Sequence, residues 1–425
     1  MSKVRLGDIA DIELGKMLDA EKNTGDLHPY LANVNVRWGS FDLDGLPLMR
    51  FEDDEAERFL LRPGDLVMCE GGEPGRCAIW RGEVSDARYQ KALHRIRPHE
   101  NVDVRWLYYW FLLQGRIGGL NQYINQTTIK HLVREDLKNV QIDLPTLDVQ
   151  RRIAAVLSAI DDKIENNRKL MAELEATARL AYDEWFVRFD FPDEQGHPYR
   201  SSGGKMVWND ELKREIPTGW KIVTVGDLIT VTKGISYTSA DLEGAGIPMV
   251  NLATFSTDGT IKPDGIKSFS GTPDPRRLVR PGDLLMCVTQ QTAIDLTGKT
   301  NVIGKTFLMP AMYEGDVVIS TDVAKLSVAH SELLAYFDQL FRIPEIHKHI
   351  AGYANGTKIK HLDVEGALDF QVPLPEHPML LERFADLVRH MTGLKGIVLH
   401  ENESLSSLRD WLLPMLMNGQ ITVGE

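Results

Sequence analysis

Two short glycine-containing segments have residue types that could bind a phosphate group. Gly298-Lys299-Thr300 and Gly304-Lys305-Thr306 both look like the end of a phosphate-binding loop, in which backbone amides and a lysine surround the phosphates. That loop also requires a glycine five residues before its second glycine. The chain has Ala293 and Lys299 at those positions. The sequence therefore predicts no nucleotide site at either segment.

Other catalytic patterns are absent as well. Gly71-Gly72-Glu73-Pro74-Gly75 is rich in glycine, but its spacing is not that of a dinucleotide-binding loop and Pro74 interrupts any helix start. The sequence has neither Asn-Pro-Pro-Tyr nor Asp-Pro-Pro-Tyr, which amino-methyltransferases use to hold a target base, and it has no H-E-x-x-H or G-x-S-x-G. His131 and His361 share a repeated segment, but no nucleophile accompanies both. We expect no enzyme activity from this chain alone.

The cysteines predict neither disulfides nor a metal site. Cys69, Cys77 and Cys287 are an odd number at spacings that fit no four-ligand zinc site. No apolar run reaches the roughly 18 to 20 residues that a membrane span needs, and the first residues lack the apolar block of a signal peptide. We expect a cytoplasmic protein with reduced thiols and no membrane partner.

The charge pattern bears on nucleic-acid binding. The formal net charge is −13, whereas proteins that bind DNA alone usually carry a basic face. One short stretch is a candidate basic patch, although Glu83 and Asp86 lie within it; its cations are Arg81, Arg88, Lys91, Arg95 and Arg97, with His94. If DNA is the ligand, the acidity predicts weak binding by this chain alone and partners that supply phosphate contacts.

The sequence is a tandem duplication. Four segments of the first half recur in the same order in the second half, which predicts two domains of one fold. The pairs are Leu6-Gly7-Asp8-Ile9 with Val225-Gly226-Asp227-Leu228, Arg62 to Cys69 with Arg280 to Cys287, Ile129 to Leu132 with Ile359 to Leu362, and Leu144-Pro145 with Leu374-Pro375. Gly15-Lys16 and Lys233-Gly234 follow the first pair.

Each copy has a mixed α and β pattern. Arg-Pro-Gly-Asp predicts a turn, because proline presets φ at its second position, and the apolar run after it predicts a buried strand. Val102 to Leu113 predicts a helix rich in aromatic residues. We interpret most of these aromatic side chains as core.

After each Leu-Pro the pattern changes to a long helix with a heptad seam. Such a seam requires a partner helix, and the simplest partner for each is the other, with Asn167 and Glu401 as polar positions that fix the register. The first seam includes Ile153, Leu157, Ile160, Ile164, Asn167, Met171, Leu174, Ala178, Ala181 and Trp185. The second includes Leu380, Phe384, Leu387, Met391, Leu394, Val398, Glu401, Leu405, Leu408, Leu412 and Met415.

The predicted fold is α+β: two mixed α/β domains separated by two long helices that pair as an antiparallel coiled coil. The predicted boundaries are 1–145 for the first domain, 146–190 for the central helix, 191–216 for a linker, 217–375 for the second domain and 376–425 for the C-terminal helix. Gly203-Gly204, Pro192 and Pro198 mark the linker as a loop.

These features together resemble the specificity subunit of type I restriction-modification systems over essentially the whole chain. The duplicated segments carry the resemblance, together with Gln150-Arg151-Arg152-Ile153-Ala154, Ala181 to Phe189 and Leu405 to Pro414. One departure is that Glu376-His377-Pro378-Met379 replaces the Gln-Arg element before the second helix. We therefore expect the second helix to dock its partner more weakly or differently.

The resemblance implies a non-catalytic, DNA-binding subunit. Each target recognition domain would read one half of a split, asymmetric site in double-stranded DNA, and the helices would act as a spacer and dock two methyltransferase subunits. Those subunits would carry S-adenosylmethionine and methylate adenine N6. A separate restriction subunit would use ATP and Mg. The chain itself would hold no cofactor and no metal.

Side chains suited to base or phosphate contacts occur in and near the repeated segments. The first-domain candidates are Arg37, Trp38, Arg76, Lys91, Arg95, Gln126, Thr127, Thr128 and Lys130. The second-domain candidates are Gln290, Gln291, Lys299, Thr357, Lys358 and Lys360.

Two other functions remain open. Other bacterial defence complexes could use the same arrangement of two DNA readers with a different effector. A coiled-coil adaptor that binds proteins with its globular domains is a second alternative, which the acidity alone favours.

Overall fold

The computed structural model describes residues 2–17, 23–126, 130–291 and 301–424. They form two compact units. Unit 1 contains Met1–Glu165 and Ser404–Glu425, and unit 2 contains Asn166–Glu403. Each unit therefore contains one copy of the duplication together with part of both long helices. No helix in these ranges is long and apolar enough to cross a membrane.

The first copy consists of short strands and three helices before the first long helix. The strands are β1 (Ser2–Arg5), β2 (Ala10–Leu14), β3 (Asp26–Leu31), β4 (Val36–Arg37), β5 (Ser40–Phe41), β6 (Leu48–Phe51), β7 (Leu66–Cys69), β8 (Cys77–Ile79), β9 (Arg88–Tyr89), β10 (Leu93–Pro98), β11 (Asn125–Gln126), β12 (Lys130–His131) and β13 (Gln141–Leu144). The helices are α1 (Asp53–Arg58), α2 (Val104–Ile117), α3 (Arg134–Lys138) and the long α4 (Leu147–Tyr182).

The predicted turn and buried strand are confirmed. In the Arg-Pro-Gly-Asp turn, the backbone amide of Arg62 donates to Asp65 Oδ2 at 2.8 Å, and Gly64 has a φ of 93° that favours glycine. All four residues of β7 are buried, in an antiparallel sheet of order β2-β10-β7-β8. The turn thus leads directly into β7, which is an inner strand of this sheet.

The aromatic helix is also confirmed, with shifted ends. It begins at Val104, because Asp103 caps it by accepting from the amides of Arg105 and Trp106, and it ends at Gly118 with a φ of 71°. Most of its aromatic side chains are buried in the unit 1 core, as we predicted; they are Trp106, Tyr108, Tyr109 and Phe111.

The second half of the chain contains a similar set of elements, preceded by a β-hairpin. Its strands are β14 (Met206–Asn209), β15 (Arg214–Pro217), β16 (Trp220–Thr224), β17 (Ile229–Lys233), β18 (Ile247–Val250), β19 (Lys267–Phe269), β20 (Leu278–Val279), β21 (Leu284–Cys287), β22 (Thr289–Gln291), β23 (Thr306–Leu308), β24 (Val317–Ile319), β25 (Val323–Val328), β26 (Ala354–Asn355), β27 (Ile359–Leu362) and β28 (Gln371–Pro375). Its helices are α5 (Val225–Leu228), α6 (Glu332–Phe341), α7 (Pro344–Gly352), α8 (Val364–Ala367) and the long α9 (Met379–Met417).

The two copies share the order of their central sheet, because β17-β25-β21-β23 corresponds to β2-β10-β7-β8. They also share a close approach of two backbone segments at a glycine. The amide of Gly15 donates to Leu93 O, and the amide of Gly234 donates to Val323 O, both at 3.0 Å. A Cβ on either glycine would lie 2.3 Å or less from a carbonyl oxygen of the crossing strand. Glycine is thus the shared requirement here, and the lysines beside the two glycines are not equivalent.

The long helices pair antiparallel, as we predicted. In unit 2, Asn167 Nδ2 donates to Glu401 Oε2 at 2.7 Å, and Lys395 Nζ donates to Glu175 Oε1 at 2.6 Å. In unit 1, the buried seam residues Ile153 and Leu157 of α4 join the same core as Leu413 and Leu416 of α9. The α9 partner number falls as the α4 number rises, which defines the antiparallel direction.

Part of the predicted seam of α9 is wrong. Leu394 and Leu408 are 49% and 45% exposed. The residues that follow them face α4 instead, because Lys395 pairs with Glu175 and Arg409 pairs with Asp161 at 2.9 Å. Charged side chains that form ion pairs occupy seam positions that a hydrophobic pattern assigns to leucine. The other predicted seam residues are buried or half-buried, among them Ile160, Ile164, Met171, Leu174, Leu380, Phe384, Leu387, Met391 and Leu405.

The predicted linker, 191–216, is ordered rather than an irregular loop. It contains the β14–β15 hairpin, and Phe191 stacks on Tyr199 and on Trp220 with ring centroids 4.7 and 5.7 Å apart. The Arg214 guanidinium lies 4.7 Å from the centroid of the buried Phe189 ring. Aromatic stacking therefore holds this segment against the start of the second domain.

Gln150 has a structural role that its sequence context did not reveal. Its side chain is fully buried, accepts from the Asp103 amide at 2.9 Å and donates to Pro145 O at 2.9 Å. It thereby joins the start of α4 to the start of α2. Because the Gln150 side chain is buried, it cannot contact a partner subunit. The absence of this glutamine before the second helix therefore does not bear on whether that helix docks a partner.

Candidate nucleic-acid interface

The Lys-His-Leu part of the repeated segment lies at the end of the buried cysteine strand in both units. In unit 1, Gly71 bridges to His131, and the Leu132 amide donates to Glu70 O at 2.8 Å. In unit 2, Thr289 pairs with His361, and the Leu362 amide donates to Val288 O at 2.9 Å. The duplication therefore places the same polar segment at the same edge of each domain.

Unit 2 brings several of the predicted contact residues together. Strands β22 and β27 pair antiparallel, which sets Gln290 opposite Lys360 and Gln291 opposite Ile359. Gln290 Oε1 accepts from the Val302 amide at 2.9 Å, so this side chain also fixes the following loop. Thr357 and Lys358 are exposed and Lys360 is half-buried. Lys299 and the side chain of Gln291 lie outside the described residues.

Unit 1 has the corresponding, shorter strand pair. Strands β11 and β12 pair antiparallel with Gln126 opposite Lys130, and the Lys130 side chain is exposed. Thr127 and Thr128, together with the side chain of Gln126, lie outside the described residues.

Arg76 and Trp38 are held in a local network rather than presented to solvent. Arg76 Nη1 pairs with Glu73 at 2.9 Å, and its Nη2 donates to the backbone and side-chain oxygens of Asn33 at 3.2 and 3.0 Å. Trp38 Nε1 donates to Glu73 Oε1 at 2.7 Å. Arg37 is exposed but donates to Val34 O at 2.8 Å. The terminal nitrogens of Arg76 and the Trp38 indole N–H thus have internal partners, and the prediction of both residues as DNA contacts stays a prediction.

The basic stretch of residues 81–97 is not a basic patch. Arg97 forms a two-hydrogen-bond ion pair with the buried Asp65, and Arg88 pairs with Asp86 at 2.8 Å. Arg95, a predicted DNA contact, donates to Arg58 O at 2.8 Å. These three arginines therefore have internal partners and do not form a free positive face together. Lys91 is the exposed candidate in this stretch.

Lys91 lies at the edge of a cleft of about 670 Å³ in unit 1. Both signs of charge line this cleft equally. The cations are Lys16, Arg58, Lys91 and Arg134, and the carboxylates are Glu13, Glu55, Glu70 and Glu135. Burial raises the pKa of Glu70, an effect that His131 and Lys91 partly offset. Because the charges balance, the cleft is not suited to a polyanion.

His94 forms a buried hydrogen bond to the backbone of the repeated segment of unit 1. Its ring is fully buried, and Nε2–H donates to Leu132 O at 2.8 Å. Burial lowers the pKa of His94 to about 4, so the ring is neutral at neutral pH. His94 therefore supports the edge without contributing charge to it.

A second repeated feature escaped the sequence comparison. The Cys69 amide donates to Arg76 O at 2.8 Å, and the Cys287 amide donates to Lys305 O at 2.9 Å. The preceding residues, Gly75 and Gly304, both have positive φ. Gly75-Arg76 and Gly304-Lys305 are thus equivalent glycine-cation pairs. Gly75 follows Cys69 by 6 residues, whereas Gly304 follows Cys287 by 17, and this difference in spacing hides the match in the sequence.

The metal-ligand and thiol residues of the described ranges complete the picture of the site. The described ranges contain no group of three or more His, Cys, Asp or Glu residues placed to hold a metal ion. Cys69, Cys77 and Cys287 are buried, and burial raises the pKa of each thiol.

Each copy of the duplication carries a polar strand pair and is followed by a long helix, and the two long helices pair. The chain with this combination matches a known protein family. Residues 1–176 match the family described as the type I restriction modification DNA specificity domain.

Particular relatives agree with this match. The MjaIX specificity subunit of a type I restriction enzyme from Methanocaldococcus jannaschii is 26% identical over 371 residues, which cover 85% of this chain and 78% of the relative. The HindI specificity subunit from Haemophilus influenzae is 20% identical over 461 residues, 94% of this chain and 93% of the relative.

A solved structure shares the fold. The crystal structure of a type I restriction-modification system S subunit from M. genitalium has a TM-score of 0.54 and 17% identity, and it covers 98% of this chain and 95% of that one. Together these matches confirm the resemblance to specificity subunits that the duplicated motifs indicated.

Proposed function

We propose that this chain is the non-catalytic DNA specificity subunit of a type I restriction-modification complex, in which each recognition domain reads one half of a split, asymmetric site. The observation that carries the proposal is the duplicated interface, where β12 and β27 present lysine beside the end of a buried strand in both domains. One half-site of a few base pairs is common in a genome. Two linked readers multiply their selectivity.

We further propose that the long helices dock two methyltransferase subunits, which carry S-adenosylmethionine, and that restriction subunits supply ATP-driven cleavage with Mg. Exposed apolar side chains on the helices support a docking role, because large apolar groups on a soluble surface mark interaction sites. They are Leu170, Leu180, Leu394, Ile397, Leu408 and Trp411.

The acidity fits a subunit that depends on its partners. The net charge is −13, and Arg88 and Arg97 of the predicted basic patch are paired internally. We therefore expect the isolated chain to bind DNA weakly. A complex with methyltransferase subunits would supply further phosphate contacts.

Methylome sequencing tests the proposal. A host that expresses the chain with the methyltransferase encoded beside it should gain one split motif with methylated adenine, and a host that expresses the methyltransferase alone should gain none. Tight, salt-insensitive DNA binding by the isolated chain would contradict the dependence on partners.

The alternative functions differ in the same experiments. A recognition subunit of another defence complex would bind split DNA sites without adenine methylation. A protein-binding adaptor, which the net charge favours, would show no DNA shift even as a reconstituted complex on random-sequence DNA.

A further inference from the structure

The equivalent glycine-cation pairs have opposite surroundings in the two units. In unit 1, Glu73 neutralises Arg76, and Asn33 accepts from its second terminal nitrogen. In unit 2, the half-buried Lys305 forms no side-chain hydrogen bond or ion pair with any residue in the described ranges. The same position is thus closed in one domain and open in the other.

Two basic residues, Arg342 and His347, lie near Lys305. Asp338 and Glu175 neutralise Arg342 with contacts of 3.2 and 3.6 Å. His347 of α7 donates Nε2–H to Ile303 O at 3.0 Å, two residues before Lys305. Asp258 is the nearby carboxylate, but its Oδ1 accepts from Thr260.

A partly buried cation such as Lys305 destabilises a folded chain unless an anion compensates its charge. Burial and Arg342 lower the pKa of Lys305, and burial and Lys305 lower the pKa of His347. Lys305 is thus partly desolvated without a direct hydrogen bond or ion pair to the described residues. A partly buried charge of this kind is typical of a binding site.

The cluster adjoins the candidate interface of unit 2. The loop that contains Lys305 is fixed on one side by Gln290, which accepts from the Val302 amide, and on the other side by His347. Gln290 lies on β22 opposite Lys360 of β27. Lys305 is therefore on the loop that follows the polar strand pair.

We propose that Lys305, supported by His347, is a DNA phosphate contact specific to the second recognition domain. The inference rests on the proposed DNA-reading function and adds a residue to it. A phosphodiester oxygen would supply the direct ion pair that Lys305 does not form with the described residues. In unit 1, Arg76 has its counter-charge in Glu73, so that domain makes no equivalent contact.

The test compares three variants in the reconstituted complex with methyltransferase. DNA binding to the methylated motif is measured as a function of salt concentration for Lys305→Ala, Lys305→Arg and Lys221→Ala, the last being an exposed lysine of β16 in the same unit. For one lost phosphate contact, Lys305→Ala should lower the magnitude of the salt slope by about 0.9. Binding should weaken equally for DNA with either half-site altered, because phosphate contacts carry no sequence information. Lys305→Arg should retain the slope, and Lys221→Ala should leave it unchanged.

Thermal unfolding distinguishes lost contact from lost folding. Lys305→Ala removes a desolvated charge, so its melting temperature should equal or exceed that of the wild type. If the Lys305→Ala complex binds its motif with an unchanged salt slope, the inference is wrong but the proposed function stands. If the wild-type complex binds no motif, the proposed function is wrong. If inorganic phosphate stabilises the wild type but not Lys305→Ala, while the DNA slope is unchanged, the site takes a free anion and the inference is wrong.

Discussion

At the scale of single residues, internal pairing decides which charged groups are available to a ligand. Arg76, Arg95 and Arg97 look equally suited to DNA in the sequence, but each has an internal acceptor. Leaving a buried acceptor unpaired costs roughly 1 to 3 kcal/mol, so these arginines are not readily released to a ligand. Lys305 has no such partner among the residues that the structure describes, although its glycine-lysine segment looked only like an incomplete phosphate loop.

His94 should make stability depend on pH. Its folded pKa of about 4 is below the ordinary value of 6.5, so the unfolded chain takes up the proton first as the pH falls. The free energy of unfolding should therefore decrease between pH 6.5 and 4, by about 2 kcal/mol between pH 7 and 5.

The variant His94→Gln should remove that part of the pH dependence. Chemical denaturation at pH 7 and pH 5 gives the loss in the free energy of unfolding for the variant and for the wild type. The difference between the two losses cancels the contribution of the carboxylates. His377→Gln, at an exposed histidine, is the matched control. A His94→Gln variant with the same loss as the wild type would show that the buried ring does not control this dependence.

At the scale of helices and strands, local patterns were reliable where burial and turn geometry agree. The Arg-Pro-Gly-Asp turn and the apolar run after it led directly to β7 and β21, both fully buried. The pattern failed where tertiary contacts decide. Lys395 and Arg409 take seam positions because Glu175 and Asp161 lie opposite, and no single-helix period contains that information.

The candidate interface was predictable in part for the same reason. Repetition located β12 and β27, because both copies need the same strand beside the cysteine strand. Repetition could not show that Glu73 neutralises Arg76, or that Gly304-Lys305 corresponds to Gly75-Arg76. These facts depend on loop length and on neighbours that are distant in sequence.

Substitutions in α9 test the corrected seam. Leu394→Ala should change the free energy of unfolding by less than about 0.5 kcal/mol, because about half of the side chain is exposed, as for other surface positions. Met391→Ala, one turn earlier and only 8% exposed, should cost about 2 to 5 kcal/mol. Urea denaturation of the two variants compares them directly. Equal destabilisation would restore Leu394 to the seam.

At the scale of the whole molecule, each copy of the duplication has its own complete set of turn, buried strand and polar edge. This completeness predicts modular recognition. Replacing residues 217–375 with the corresponding domain of a relative should change one half of the methylated motif and leave the other half intact, as measured by methylome sequencing.

The reverse replacement, of residues 1–145, is the matched control and should change only the other half. A change in both halves after either replacement would contradict the independence of the two domains.

The helix pair should set the distance between the two half-sites, and the contacts give the register needed to lengthen it. Asp161 pairs with Arg409, so the heptad Leu157 to Lys163 of α4 lies opposite Ser407 to Leu413 of α9. Duplicating both heptads keeps the ion pair and the seam in phase while adding about 10 Å, at about 1.5 Å per residue. Since DNA rises about 3.4 Å per base pair, full transmission would widen the unread spacer by about 3 base pairs.

The methylated motif of this variant should contain both original half-sites with a larger separation. Duplicating only the α4 heptad leaves Asp161 and Arg409 out of register, so that control should lose activity or stability. Extending the turn of the exposed β14–β15 hairpin by two residues should leave the motif unchanged. An active double-insertion variant with the original spacing would show that the helices join the domains without measuring the distance between their half-sites.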